Sequence, residues 1–144
     1  MIIRPMKEED VPQAAAIEAA SITPPWSEAG FLSALGEDTQ MLVAEEGTKV
    51  LGYVNMYISF EEAEITNVAT DPAQRGQGIA WALMQESMTQ AKERGVERIV
   101  LEVRASNTPA IRLYEKCGFR ELGIRKNFYE QPREDARIME CKLC

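Results

Sequence analysis

Asp71-Pro72-Ala73-Gln74-Arg75-Gly76-Gln77-Gly78-Ile79-Ala80-Trp81, continuing as ALMQESMTQA to residue 91, is the stretch that decides how this chain folds. Asp71-Pro72 opens a turn, and the loop that follows carries two glycines and one arginine. From Ile79 onward, apolar residues recur at helical spacing: Ala80, Leu83, Met84, Met88 and Ala91. A helix that starts on a loop of small residues presents several unbonded backbone N–H groups in one direction. The positive end of its dipole points the same way, so the natural ligand there is an anion. Arg75 adds a full charge beside it. The spacing predicts a cradle for phosphate or pyrophosphate. A nucleotide P-loop needs Lys and then Ser or Thr after its last glycine, whereas Gly78 is followed by Ile79-Ala80. The dinucleotide fingerprint also fails, because its third small residue and its later acidic residue are not at the required spacing.

Upstream of the cradle, residues 1–6 read as a first strand. Asp10-Val11-Pro12-Gln13 reads as a helix start, with a capping Asp, a first-turn Pro and Gln three residues on. Val11, Ala14 and Ile17 share one face of that helix. Thr23-Pro24-Pro25 breaks the chain, Trp26 sits in the break, and Ser27 caps a second helix with Phe31, Leu32 and Leu35. Residues 40–45 and 49–59 form a hairpin about Glu46-Gly47-Thr48, and residues 62–70 supply a third antiparallel strand. Downstream, the central helix stops at Gly95 and RIVLEV (98–103) reads as a buried strand. Thr108-Pro109 starts a helix with Ala110, Leu113 and Tyr114 inward, ending at Gly118. Strands near 119–128 and 137–142 close the sheet, with a 130–135 loop between them. The order β-α-α-β-β-β-α-β-α-β-β predicts an α/β (α+β) fold in one domain spanning 1–144. Its mixed, mostly antiparallel sheet has six to seven strands, with about four helices on both faces.

Bulk properties limit the function. The net charge of −7 disfavours nucleic-acid binding. No apolar run approaches the ~20 residues of a membrane span, and MIIRPMKEED lacks a secretory pattern, so a cytoplasmic chain with no membrane partner is expected. Cys117, Cys141 and Cys144 are too few and too odd for a disulfide framework. Cys141-x-x-Cys144 is half of a metal site at most; with no histidine in the chain, no metal is expected. Acid–base chemistry therefore falls to Glu, Asp, Tyr, Lys or Cys.

Arg75-x-x-Gly78-x-Ala80 at a strand-to-helix junction resembles the R/Q-x-x-G-x-G/A pyrophosphate motif of the GNAT superfamily of N-acetyltransferases, and the element order is that of the GNAT fold. Several further segments resemble the bacterial ribosomal-protein alanine N-acetyltransferases (RimI type) across essentially the whole chain. They are Leu101-Glu102-Val103-Arg104-Ala105-Ser106-Asn107, Leu113-Tyr114, Gly118-Phe119, Pro25-Trp26-Ser27-Glu28, Asn67-Val68-Ala69 and Arg125-Lys126-Asn127-Phe128-Tyr129. The resemblance implies acetyl-CoA as donor. As acceptor it implies a protein N-terminus, that of the eighteenth small-subunit ribosomal protein. Oligomeric state is not legible.

Acetyl transfer to an amine needs a neutral amine, a polarised carbonyl and a proton for the departing thiolate. The resemblance assigns the base to Glu102 and the acid to Tyr114. In residue terms alone, Glu102 is equally a solvent-facing residue of an alternating strand, and Tyr114 a packed helix tyrosine. For the coenzyme, the resemblance implies backbone contacts from Val68, Ala69 and Thr70. The cradle Arg75, Gly76, Gln77, Gly78, Ile79, Ala80 and Trp81 would take the pyrophosphate, and Asn107 and Tyr114 would lie along the arm. Asn107 also suits a helix cap. Trp81 stands where the family commonly has Arg, and Thr70 where it often has an aliphatic residue. Trp26, Phe128 and Tyr129 are the candidate acceptor-binding residues; Phe128 replaces a Tyr of the RimI type. Cys117 has no histidine to activate it, which favours direct transfer over an acetyl-cysteine. A GNAT enzyme for a small amine and a non-catalytic acyl-CoA sensor both remain open.

Overall fold

The computed structural model describes residues 1–143, so Cys144 and its pairing with Cys141 lie outside it. In chain order the elements are β1 (Ile2–Pro5), α1 (Val11–Ser21), α2 (Glu28–Ala34), β2 (Thr39–Glu46), β3 (Lys49–Ser59), β4 (Glu62–Thr70), α3 (Ile79–Glu93), β5 (Arg98–Arg104), α4 (Thr108–Lys116), β6 (Arg120–Glu130) and β7 (Arg133–Lys142). Among the described residues, seven strands form one sheet in the order β1-β2-β3-β4-β5-β7-β6. All neighbours are antiparallel except β4 and β5. No helix of the described residues is long and apolar enough to cross a membrane.

Two apolar cores, one on each face, hold the helices to the sheet. On one face Val11, Ala14 and Ile17 of α1 and Phe31 of α2 pack with Met41, Val43 and Tyr53. On the other, Leu83 and Met84 of α3 and Ile111 and Tyr114 of α4 pack with Leu42, Val54, Ile99 and Leu101. Ser27 caps α2 as its position predicts, its Oγ accepting from the Gly30 N–H at 3.1 Å. Asp10 does not cap α1. Its carboxylate accepts from the Lys7 N–H at 2.8 Å and takes two bonds from Arg4 at 2.7 and 2.8 Å. A guanidinium offers more than a helix amide, and it draws the carboxylate back toward β1. Gln13, expected in the same cap, instead bonds the Thr48 carbonyl and the Val50 N–H. The 130–135 loop is also shorter than expected: β7 begins at Arg133, leaving Gln131-Pro132 as the hairpin tip.

One irregularity positions everything that follows. Asn55 of β3 pairs with Asn67 and Met56 pairs with Ile65, so Thr66 has no opposite number. This bulge turns the strand over. Before it, Ala63 and Ile65 face α3 and α4; after it, Ala69 faces α1 and α2. Pairing between β4 and β5 ends at the same point, Ile65 with Leu101, while β5 stays paired with β7 as far as Arg104. A gap therefore opens between residues 66–70 of β4 and residues 102–104 of β5.

Gly52 of β3 pairs with Thr70 and lies under α3. A β-carbon there would lie 2.8 Å from the Ala69 carbonyl oxygen and 3.2 Å from Ile79 Cγ2. Gly52→Ala is expected to cost about 1–3 kcal/mol of stability by pushing β4 off β3, measured as a lowered urea midpoint with an unchanged slope.

Candidate active site

The cradle lies where the sequence places it. Gly76 and Gly78 have φ of +82° and +78°, and a β-carbon on either would meet nothing within 4 Å. Backbone conformation, not crowding, is what demands glycine. The first hydrogen bond of α3 runs from the Ala82 N–H to the Gly78 carbonyl at 3.0 Å. The amides of Ile79, Ala80 and Trp81 come before it and have no helical acceptor. Ile79 buries its side chain in the core, whereas Gln77 and Trp81 are exposed. Arg75 reaches back to α1, donating from Nη2 to Ser21 Oγ at 3.1 Å.

The edge of β4 leads from the gap to this cradle. The Asp71 N–H bonds the Leu51 carbonyl at 2.8 Å, so Asp71 turns its backbone to β3. Strand alternation then turns Ala69 to β3 as well, and Val68 and Thr70 to the gap. Val68 and Thr70 thus offer backbone N–H and C=O groups across an unpaired edge. Ala69, between them, points its side chain into the core.

Glu102 stands on the far side of the gap. Leu101 and Val103 are buried toward α3 and α4, which leaves Glu102 on the opposite face. Its Oε1 lies 3.5 Å from Arg125 Nε. Glu64 of β4 shares that face, and its carboxyl is pushed up by burial and then by the charge on Glu102. Tyr129 of β6 is raised first by its own burial and then by Glu102, with Arg104 opposing. Tyr114 belongs to α4 on the other face. Its phenol is raised above the ordinary range by burial, with Tyr129 and Cys117 adding to it. Tyr129 is within electrostatic reach of both Glu102 and Tyr114. The two candidate proton-transfer groups lie on opposite faces of the sheet. Asn107 caps α4, its Oδ1 accepting from the Ala110 N–H at 3.3 Å.

The candidate acceptor residues divide by environment. Trp26 sets its ring edge against Phe31 at 5.5 Å and faces a groove beside Glu64. Phe128 is 44% exposed, with Arg125 5.5 Å above its ring, and it packs edge-on against Tyr129 at 5.1 Å.

Two residues with no role assigned from sequence hold these parts together. Arg104 donates to the Pro132 and Gln131 carbonyls of the β6–β7 tip at 2.9 and 3.2 Å, and to the Thr23 carbonyl at 2.9 Å. It also pairs with Glu134 at 3.3 Å and stacks 4.3 Å over the Tyr129 ring. One side chain thereby pins the loop before α2 to the last hairpin. Its parity with Glu102 was visible in the sequence; its carbonyl partners were not. Glu18, fully buried on α1, accepts from the Tyr53 hydroxyl, from Asn67 Nδ2 at 2.8 Å and from the Trp26 N–H at 2.8 Å. Its place on the Val11–Ala14 face, an acid in an apolar stripe, was the available signal.

The acetyltransferase (GNAT) family model matches residues 6–119. The ribosomal protein bS18-alanine N-acetyltransferase of Escherichia coli (strain K12) is 38% identical over 139 residues, covering 95% of this chain and 94% of that protein. The enzyme of the same name from Haemophilus ducreyi (strain 35000HP / ATCC 700724) is 36% identical over 145 residues, 99% of this chain and all of its own length. The crystal structure of the ribosomal-protein-S18-alanine N-acetyltransferase from Escherichia coli superposes with a TM-score of 0.92 at 37% identity, covering 98% of this chain and 92% of that one. With the family model over most of the chain and relatives matching it along nearly its whole length, the chain belongs to the GNAT family of acetyltransferases.

Proposed function

We propose that this protein moves the acetyl group of acetyl-CoA to the N-terminal α-amine of a protein, the alanine terminus of the eighteenth small-subunit ribosomal protein. The observation that carries the proposal is a single gap bordered by three complementary parts: an anion cradle, an unpaired strand edge and a carboxylate. The donor set fits the coenzyme. Free amides at Ile79, Ala80 and Trp81, with Gly76, Gln77, Gly78 and Arg75 around them, suit a pyrophosphate. The outward backbone groups of Val68 and Thr70 suit the amides of a pantetheine arm, as an added strand would. Asn107 stands at the start of α4 near the end of that path. When bound, the coenzyme supplies an activated acetyl thioester.

Glu102 takes a proton from the acceptor's ammonium, directly or through a water. The freed nitrogen then forms the C–N bond to the acetyl carbonyl and passes its next proton to Glu102, which has by then returned the first to solvent. As the C–S bond breaks, Tyr114 gives its proton to the departing sulfur and is reprotonated from solvent. Burial keeps Tyr114 in its protonated form, and the same dry surroundings raise the basicity of a thiolate formed beside it. Trp26, Phe128 and Tyr129 border the acceptor's approach on the Glu102 face.

The test is release of free thiol from acetyl-CoA with a panel of acceptors. It holds a peptide bearing the N-terminus of that ribosomal protein, the same peptide with a blocked α-amine, and free amino acids and polyamines. Release with the free-amine peptide alone bears the proposal out; release with small amines alone overturns the acceptor. Arg104→Ala, which unpins the two segments flanking the acceptor's approach, is expected to raise the peptide's KM about tenfold, in line with one lost charge-assisted hydrogen bond. The dissociation constant for coenzyme A, measured by calorimetry, is expected to stay the same.

A further inference from the structure

The first turn of α3 carries a large aromatic side chain in the open. Ile79, Leu83 and Met84 turn into the core, whereas Trp81, about 200° around the helix from Ile79, is 46% exposed. A helical side chain leans toward the N-terminus of its own helix. The indole therefore covers the Gln77-Gly78 end of the turn, beside the free amides of Ile79, Ala80 and Trp81 itself. Among the described residues, no other ring and no guanidinium lies against it.

Positive charge is scarce at the same place. From Asp71 to Ala91 the one cationic residue is Arg75, and its guanidinium reaches away to Ser21 Oγ at 3.1 Å. Backbone amides can hold an anion here, and the side chain offered next to them is an aromatic face rather than a second cation. That combination suits a ligand whose phosphates carry a flat base.

We propose that Trp81 is the platform for the adenine ring of acetyl-CoA, so that the far end of the coenzyme is recognised by its base in place of its 3′-phosphate. The pyrophosphate rests on the amides at the start of α3, and the base folds back over the indole in an offset stack. The 3′-phosphate then meets no cation from this helix and stays hydrated. An alanine at position 81 leaves the base without a surface to lie on. An arginine there supplies the missing charge and makes the 3′-phosphate count. The proposal rests on acetyl-CoA being the donor.

The experiment measures dissociation constants by calorimetry for coenzyme A, 3′-dephospho-coenzyme A and 4′-phosphopantetheine, which lacks the base. The native protein should bind the first two within about threefold of each other. Trp81→Ala should weaken both by about tenfold and leave 4′-phosphopantetheine unchanged. Trp81→Arg should separate the first two, favouring coenzyme A by about tenfold. Alanine is the best helix former and position 81 is exposed, so the Tm of Trp81→Ala should hold, which separates lost stacking from lost folding. A loss in Trp81→Ala that is equal for all three ligands, or absent for all three, overturns the platform and leaves the coenzyme site standing. A native preference of more than about tenfold for coenzyme A over its dephospho form overturns recognition by the base. Failure of the native protein to bind any of the three overturns the donor, and the platform with it.

Discussion

Glu102→Gln is expected to lower kcat for a free-amine peptide by about 10²–10³-fold at pH 7, the range of a single general base. The deficit is expected to narrow as the pH rises. An α-amine has a pKa of roughly 7.7–8, so at pH 7 most acceptor molecules arrive protonated and need a group to take the proton. Above that range the amine arrives neutral, and a glutamine in place of the base costs less. Gln keeps the size and shape of Glu and sits on a strand whose neighbours Leu101 and Val103 anchor it from the other face. The affinity for coenzyme A, whose proposed contacts lie at the cradle and along β4, should therefore barely change. The measurement is a pH–rate profile of both enzymes from pH 6.5 to about 9.5. A deficit that is equal at every pH takes Glu102 out of proton transfer and leaves it a role in its contact with Arg125 at 3.5 Å.

Tyr114→Phe is the second large effect: a fall in kcat of about 10²-fold with little change in acceptor KM or coenzyme affinity. The residue is 7% exposed and its ring lies 6.0 Å from that of Phe119. Phenylalanine keeps that packing and removes only the hydroxyl. The phenol is raised by burial, so in the native enzyme it stays protonated well past neutrality and should impose no loss of rate on the alkaline side below about pH 10. A mutant that turns over at the native rate returns Tyr114 to core packing.

The parts of the site that follow from local pattern were legible in the sequence. The cradle needs only small residues ahead of an amphipathic run, and Gly76, Gly78 and the Ile79 start occur as read. Glu102 is assigned to its face by strand parity alone. What was not legible depends on partners far along the chain. EITNVAT (64–70) alternates without a glycine or proline to mark the bulge at Thr66, which exists only through its pairing with β3. Arg104 binds three backbone carbonyls, and carbonyls carry no side-chain signature. Asp10 had the sequence of a cap but lost that role to Arg4, an interaction supported across the strands by Glu45 at 2.6 Å from the same guanidinium.

The join between β4 and β5 is four residue pairs long, from Glu62 with Arg98 to Ile65 with Leu101. Mechanically the sheet is two boards fastened by a short zip. A molecule lying along residues 66–70 lengthens the fastening, so the bound enzyme is stiffer than the free one, and the stiffness is on loan from the substrate. A slight easing of one board against the other loosens both edges at once.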